Sequence, residues 1–338
     1  MIDLPPRVRT ALLPCCLAAC SPGGDKDATL VLRDTDTAQR DGPDDTGDDT
    51  DPPDTDVVDT DPVPPPPAPV LIVIDNSASM ADASTLVAAG VGQLMSAAGP
   101  AIARVGVTTL DIARDAGALA GGSAVAPGAG AASALDARIR CDAACAVNDT
   151  RPCAGGGVPS ADQCADALTS AAEEPLEAVF LTLCRAVDRP PAACFDRFWL
   201  DQGSGRWVSS DPGSGISAGL VGSDTGTAAD WLGTATRVHV VVVTDEGDQS
   251  RRLASRQPDV APYAALFDDL GVDVVWHLLG PTPAACAPIA ADWGVQRLQA
   301  MVTASGGTWH DLFAGEPGCE DADVGTALAE IGAAIAGG

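Results

Sequence analysis

Two kinds of hydrophobic pattern alternate along the chain. Unbroken apolar runs at 70–75 (VLIVID) and within 237–248 (RVHVVVVTDEGD) are typical of central strands in a parallel sheet, because such strands are buried on both faces. Elsewhere apolar residues recur every three or four positions, the spacing of a helix with one buried face. The predicted strands are 70–75, 104–112, 237–248, 272–280 and 308–313, and the predicted helices are 84–99, 173–187, 260–271, 294–307 and 321–337. This alternation predicts an α/β fold, a doubly wound and mostly parallel sheet flanked by helices.

The composition changes sharply before the first strand. Residues 21–69 contain 14 Asp and three basic residues among Thr and Pro, with few side chains to bury. Such a segment cannot offset the entropy of ordering, and its like charges keep it extended. We therefore expect a disordered acidic stalk, because the fixed period of an Asp-rich calcium-binding repeat is missing. One domain follows at 70–338, with predicted insertions near 113–170 and 195–230.

The first 20 residues have the features of an export signal. Two arginines precede a short apolar stretch, which ends in LAAC at 17–20. That ending resembles a bacterial lipobox, in which the cysteine becomes the lipidated first residue of the mature protein. The resemblance implies lipidation of Cys20 and, because Ser21 follows it, a place in the outer membrane or at the cell surface. An ordinary cleaved signal peptide is the alternative, and no other stretch approaches the ~20 apolar residues of a membrane span.

Cysteine usage agrees with export. Of the 11 cysteines, Cys15 and Cys16 would leave with the signal and Cys20 would carry lipid. The even remainder favours disulfides over zinc thiolates, since the sequence has no close CxxC pair or HxxxH motif and exported proteins are oxidised. Sequence does not fix the pairing, although proximity favours Cys184–Cys194 and Cys286–Cys319. The other candidates are Cys141, Cys145, Cys153 and Cys164.

The chain is strongly acidic, with a formal net charge of −28. This balance predicts no nucleic-acid partner, because phosphate binding needs clusters of Lys and Arg that the sequence lacks. An excess of carboxylates instead suits solvation or cation binding.

Both strong strands run into loops rich in acidic and hydroxyl side chains. These loops contribute Asp75, Ser77 and Ser79 after the first strand, and Thr244, Asp245, Glu246 and Asp248 after the second. The carboxyl ends of parallel strands meet at one edge of a sheet, so we expect the loops to lie side by side. Their hard oxygen atoms suit Mg²⁺, Mn²⁺ or Ca²⁺. Alternatively, the first three side chains cap the following helix. Glu246 and Asp248 are expected to be solvated or to support the ligands rather than to bind.

The two loops together resemble a von Willebrand factor type A (VWA) domain of the kind found in exported bacterial lipoproteins. DNSAS at 75–79 matches the family's Asp-x-Ser-x-Ser metal-ion-dependent adhesion site (MIDAS), and VVVVTDEGD at 240–248 matches the strand that supplies a later aspartate. The resemblance covers about residues 70–337. It implies one divalent cation, Mg²⁺ before Mn²⁺ or Ca²⁺, and a protein ligand whose exposed carboxylate completes the coordination. The ligands implied in this sequence are Asp75, Ser77, Ser79 and Asp245.

One position departs from the family pattern. The family usually supplies a threonine just before a helix, and here the corresponding stretch is SAAEEPLEAVF at 170–180. By that resemblance Glu173 takes the place of the threonine as a ligand, with Glu174 as the neighbouring candidate. An added carboxylate would weaken the pull of the cation on a ligand's acid. Both residues are alternatively first-turn acids favoured by the helix dipole.

The function that these residues predict is binding rather than catalysis. We expect a lipid-anchored envelope protein whose domain captures an acidic protein ligand through its cation. A second hypothesis is a structural surface domain whose cation is saturated and only stabilises loops. A third, an exported serine hydrolase, rests on GISAG at 215–219 around Ser217, which lies in a Gly/Ser-rich loop rather than at a strand-to-helix turn. A P-loop ATPase is excluded because no GxxxxGK[ST] motif occurs.

Overall fold

A five-stranded parallel sheet forms the centre of the structure. The computed structural model describes residues 65–77, 80–110, 112, 116–139, 174–195, 197–201, 206–210, 225–250, 259–281, 293–312 and 323–338. Its strands and helices are β1 (Ala68–Ile74), α1 (Ala81–Ala98), β2 (Ile102–Thr109), α2 (Ala131–Ala137), α3 (Pro175–Ala186), β3 (Arg197–Asp201), β4 (Arg206–Ser210), α4 (Thr225–Leu232), β5 (Arg237–Val243), α5 (Ala261–Leu270), β6 (Asp273–Gly280), α6 (Trp293–Ser305), β7 (Trp309–Asp311) and α7 (Val324–Gly337).

The direction in which the chain adds strands reverses between β1 and β5, at the middle of the sheet, and this position is the crossover point. The strands lie in the order β2-β1-β5-β6-β7, and every neighbouring pair is parallel. The chain therefore moves outward from β1 to β2 on one side and from β5 to β7 on the other. Ile74 at the end of β1 is in register with Val243 at the end of β5. Open α/β sheets bind ligands at the carboxyl ends of the strands where the order reverses, so a binding site is expected at the carboxyl ends of β1 and β5.

Helices cover both faces of the sheet. All seven residues of β1 are buried, as the unbroken apolar run predicts. Leu71 and Val73 belong to a core shared with α3, α4, α5 and α6, whereas Val70, Ile72 and Ile74 belong to a second core with α1, α2 and α7. Successive side chains of a strand point to opposite faces, so one apolar run supplies both cores. The structure thus has the α/β architecture expected from the sequence.

The boundaries and insertions differ in detail from the prediction. The strand expected over 237–248 ends at Val243, because the chain turns at Thr244 towards the adjoining loop. The segment predicted as an insertion near 195–230 contains the antiparallel hairpin β3–β4 and helix α4. Trp231 in α4 is 1% exposed and its Nε1 donates to the carbonyl of Val70 at 3.0 Å. This tryptophan is therefore a core residue that anchors α4 to the central strand.

One disulfide joins the end of α3 to the following turn. Cys184 and Cys194 are both buried and bonded, which confirms one of the two pairings that proximity favours. The other cysteine candidates and Cys20 lie outside the described residues, as do the predicted signal and residues 21–64 of the predicted stalk.

No helix in the described part of the chain is both long enough and apolar enough to cross a membrane.

Candidate metal centre

Main-chain hydrogen bonds continue past the ends of the central strands. The Asp75 N–H donates to the Val243 carbonyl at 2.8 Å, and the Thr244 N–H donates to the Leu279 carbonyl at 3.2 Å. On the other side of β1, the Leu110 N–H donates to the carbonyl of Ile74 at 3.1 Å. The loops that follow β1 and β5 are therefore held side by side at the crossover point.

The carboxylate of Asp75 connects these two loops. It is 1% exposed, and its Oδ1 accepts the Ser77 N–H at 2.8 Å. Its Oδ2 accepts the hydroxyl of Thr244, also at 2.8 Å. The Thr244 Oγ1 in turn accepts the Glu246 N–H at 3.1 Å, so the hydroxyl is fixed from both sides. Thr244 thus orients Asp75, a role that its place directly after a buried strand allowed but did not reveal.

Asp75 and Asp245 lie close enough that it is unfavourable for both carboxylates to be ionised. Burial, and after it the nearby carboxylate of Asp245, raise the pKa of Asp75 from 3.8 to about 7, although the hydrogen bonds from Ser77 and Thr244 oppose the rise. Asp245 is half-buried, and its Oδ1 is inaccessible and accepts no hydrogen bond from the described residues. A positive charge between the two loops would relieve both effects.

Helix capping does not explain Asp75. Helix α1 begins at Ala81 with Met80 as its N-cap residue. Both carboxylate oxygens of Asp75 instead accept from the two loops of the site. Ser77 turns the chain towards the helix, since its carbonyl accepts the Met80 N–H at 3.2 Å. The hydroxyl of Ser77 also lies within hydrogen-bonding reach of the Asp75 carboxylate, whereas Ser79 lies outside the described residues.

The third predicted loop is described only in part. Glu173 lies outside the described residues. Glu174 is the N-cap residue of α3 and is fully buried, and its carbonyl accepts the Ala178 N–H at 2.8 Å. Pro175 follows at the first helical position, where its missing N–H costs nothing. The first turn of α3 is therefore a buried element rather than a solvated helix end.

Asp248 is the residue whose surroundings the sequence reveals least. It was expected to be solvated or to support the ligands, and it is 0% exposed. Arg297 of α6 forms an ion pair with it at 2.7 Å, and the Leu176 N–H of α3 donates to it at 3.2 Å. Burial raises its pKa and the guanidinium opposes that rise. The only signal for Arg297 was that it is the one charged residue of the helix.

Comparison with protein-family models, curated proteins and solved structures finds no match. The resemblance to VWA domains therefore depends on the sequence motifs at 75–79 and 240–248 alone.

Other candidate chemistry has little to add. No group of three or more His, Cys, Asp and Glu side chains among the described residues is arranged to hold a metal ion. The predicted site differs from such a group, because its described members are two carboxylates and the hydroxyl of Ser77. Ser217 of the hydrolase hypothesis lies outside the described residues. His239 and His277 are buried within the sheet, where each was expected as a core or face residue.

The described members of the site fit a hard divalent cation. Asp75 and Asp245 supply carboxylate oxygens, and one of these oxygens is buried without a hydrogen bond from the described residues. Ser77 supplies a neutral hydroxyl beside them. Carboxylate and hydroxyl oxygens are the ligands that Mg²⁺ and Ca²⁺ prefer. The chemistry of the donors and the unmet charge therefore agree with the predicted cation site.

Proposed function

We propose that this protein is a VWA-type binding protein of the bacterial envelope, anchored by lipid on Cys20 and carrying its domain on the acidic stalk. The domain holds one divalent cation, Mg²⁺ before Mn²⁺ or Ca²⁺, at the carboxyl edge of the sheet. Asp75, Ser77, Ser79 and Asp245 are its ligands, and Glu173 adds a fifth. The cation captures a protein ligand that presents an exposed carboxylate. The function is binding without turnover.

The observation that carries this proposal is the pair of carboxylates at the crossover point, with Asp75 buried and Asp245 half-buried. Asp75 is almost inaccessible, and the carboxylate of Asp245 contributes to the rise in its pKa. Keeping two such groups together costs free energy unless a counter-charge is present. Thr244 and Ser77 nevertheless hold the Asp75 carboxylate in one orientation. Residues that serve only the fold have no need of this arrangement.

The neighbouring groups determine what the site does with a cation. Thr244 directs one oxygen of Asp75 while the Ser77 N–H holds the other. A hydroxyl ligand adds no charge, so a cation held by two hydroxyls and the carboxylates of Asp75 and Asp245 remains attractive to an incoming carboxylate, and the added carboxylate of Glu173 weakens that attraction. When bound, the cation supplies that attraction. If Glu173 saturates it, the site stabilises the loops without capturing a ligand.

Titration calorimetry of the full chain tests the cation site. The metal-stripped protein is titrated with Mg²⁺, Mn²⁺ and Ca²⁺, beside the variant Ser77→Ala/Ser79→Ala. We expect one tight site in the wild type and no tight site in the variant. Ser96→Ala is the matched control, since Ser96 is exposed on α1 and should bind as the wild type does. Binding that is unchanged in the double variant would refute the assigned ligands.

Ligand capture and anchoring need separate measurements. A Glu- and Asp-rich peptide library on beads should retain the wild type with Mg²⁺ and release it with chelator, if the cation has an open position. Cation binding without such capture would favour the structural hypothesis. For the anchor, Cys20→Ser should move the protein from the membrane fraction to the soluble fraction, and Cys16→Ser should not.

A further inference from the structure

A buried ion pair lies three residues beyond Asp245. The side chains of Asp248 and Arg297 are 0% and 1% exposed, and the guanidinium Nη1 lies 2.7 Å from Asp248 Oδ2. The same nitrogen lies 3.4 Å from the carbonyl oxygen of Asp248. Removing two charges from water carries a large desolvation cost, and apolar residues of similar size often stabilise a fold as well. Stability of the fold alone therefore does not account for this ion pair.

The carboxylate of Asp248 ties the loop after β5 to the start of α3. Its Oδ1 accepts the Leu176 N–H at 3.2 Å and the hydroxyl of Ser250. Ser250 Oγ also accepts the Glu177 N–H at 3.1 Å. Two of the first N–H groups of α3, which have no partner within the helix, are thus satisfied from this one loop. Glu174 directly precedes these positions, so the ion pair connects the loop of Asp245 with the predicted third ligand loop.

The backbone of the same loop lies directly against α6. A Cβ atom added at Gly294 would lie 2.7 Å from the carbonyl oxygen of Asp248. A Cβ atom added at Gly247 would lie 2.6 Å from the nitrogen of Val295. Because the backbones are so close at these two glycines, the loop cannot shift relative to the start of α6 without moving the helix. Arg297 lies one turn further along α6, so the helix that carries it is fixed relative to the loop of Asp248.

We propose that Asp248 and Arg297 are positioning residues for the cation site. They fix the loop that carries Asp245 against the N-terminus of α3, so that the oxygens of both loops keep a constant separation. The inference rests on the proposed cation site and adds to it a reason for cation selectivity. Mg²⁺ requires near-ideal octahedral geometry, whereas Ca²⁺ accepts variable distances and coordination numbers. A rigid connection between the loops therefore favours Mg²⁺ over Ca²⁺.

The test compares the Mg²⁺ and Ca²⁺ affinities of the full chain and its variants by calorimetry. The main variant is Asp248→Asn/Arg297→Gln, which keeps hydrogen-bonding groups and leaves no unpaired buried charge. Arg297→Lys is the second variant, because it keeps the positive charge and folds if the neutral pair does not. Leu298→Ala is the matched control, since Leu298 is a buried neighbour on α6 whose side chain belongs to the apolar core. Circular dichroism establishes that each protein is folded at the temperature of titration.

We expect the Mg²⁺ affinity of both ion-pair variants to fall, by about 10-fold to 100-fold in the neutral double variant, as for other groups that support metal ligands. The Ca²⁺ affinity should fall less, and the ratio of the two affinities should stay unchanged in Leu298→Ala. A folded double variant of the ion pair with the wild-type ratio would overturn the positioning role, while the loss of binding in Ser77→Ala/Ser79→Ala would still support the cation site. A wild type that binds neither cation would overturn both proposals.

Discussion

Replacing Asp75 with asparagine should stabilise the cation-free protein at neutral and alkaline pH while abolishing cation binding. Asparagine keeps nearly the same shape and an oxygen that accepts the Ser77 N–H. It removes the charge that burial and Asp245 disfavour. An ordinary structural aspartate would behave in the opposite way, because its charged hydrogen bonds would be lost without compensation. The sign of the change in stability therefore separates a site that awaits a cation from a helix or loop cap.

The size of the effect follows from the pKa of Asp75. Its folded value of about 7 lies above its ordinary value of 3.8, so the folded state holds the proton more tightly than the unfolded chain. The free energy of unfolding of the wild type consequently falls as pH rises between these two values. Between pH 5 and pH 8 this linkage amounts to about 3 kcal/mol, at about 1.4 kcal/mol for each pKa unit. The asparagine variant loses this dependence, so it should gain stability relative to the wild type over that interval.

The assay is denaturant unfolding of both proteins in chelator at pH 5 and pH 8. Asp269→Asn is the matched control, because Asp269 is exposed on α5 and its substitution should leave the pH dependence unchanged. Added Mg²⁺ should stabilise the wild type at pH 8 and leave the Asp75→Asn variant unaffected. A variant that is less stable than the wild type at pH 8 without cation would refute the reasoning.

Three further outcomes are expected. Burial lowers the pKa of His239 from 6.5 to about 4, so the unfolded chain binds this proton more tightly than the folded protein does. The free energy of unfolding therefore falls as pH drops from 6.5 towards 4. His239→Gln should reduce this fall in acid titrations followed by circular dichroism. Gly294→Ala should lower stability by about 1–3 kcal/mol in denaturant unfolding, through contact with backbone of the β5 loop. Gly92→Ala in α1 should not, because its added Cβ would make only an ordinary contact with the Cβ of Ala132 at 3.4 Å. Replacing Cys184 and Cys194 together by serine should cost about 2–3 kcal/mol, measured the same way against the oxidised wild type, and an unchanged midpoint would contradict it.

The sheet was predictable because its strands are buried on both faces. The runs at β1 and β5 contain little but Val, Ile and Leu, so their identity did not depend on long-range contacts. The end of β5 was predicted too far along, because the strand stops at Val243, where the apolar run ends, and the polar residues from Thr244 onward form the loop. The hairpin β3–β4 was missed because its segment combines turn residues with only short apolar runs.

The candidate site was predictable only where its residues follow strands directly. Asp75 and Asp245 follow neighbouring strands, so their placement at one edge of the sheet was predictable, whereas their role as ligands stays a prediction. The ion pair between Asp248 and Arg297 joins residues 49 positions apart on different elements. No local pattern specifies that contact, because it depends on how α6 docks against the loop after β5. A contact between distant elements is thus harder to predict than the placement of residues that directly follow neighbouring strands.

Titration of the full chain with Mn²⁺, followed by electron paramagnetic resonance, tests the cation site most directly. The signal of free Mn²⁺ is lost on binding, so bound ions are counted for the wild type and for Asp245→Asn. The comparison with Asp245→Asn is needed because the 14 Asp residues of the acidic segment at 21–69 also attract cations weakly. We expect one tightly bound ion in the wild type that disappears in the variant, with weak binding common to both. Identical titrations of the two proteins would contradict the proposed cation site.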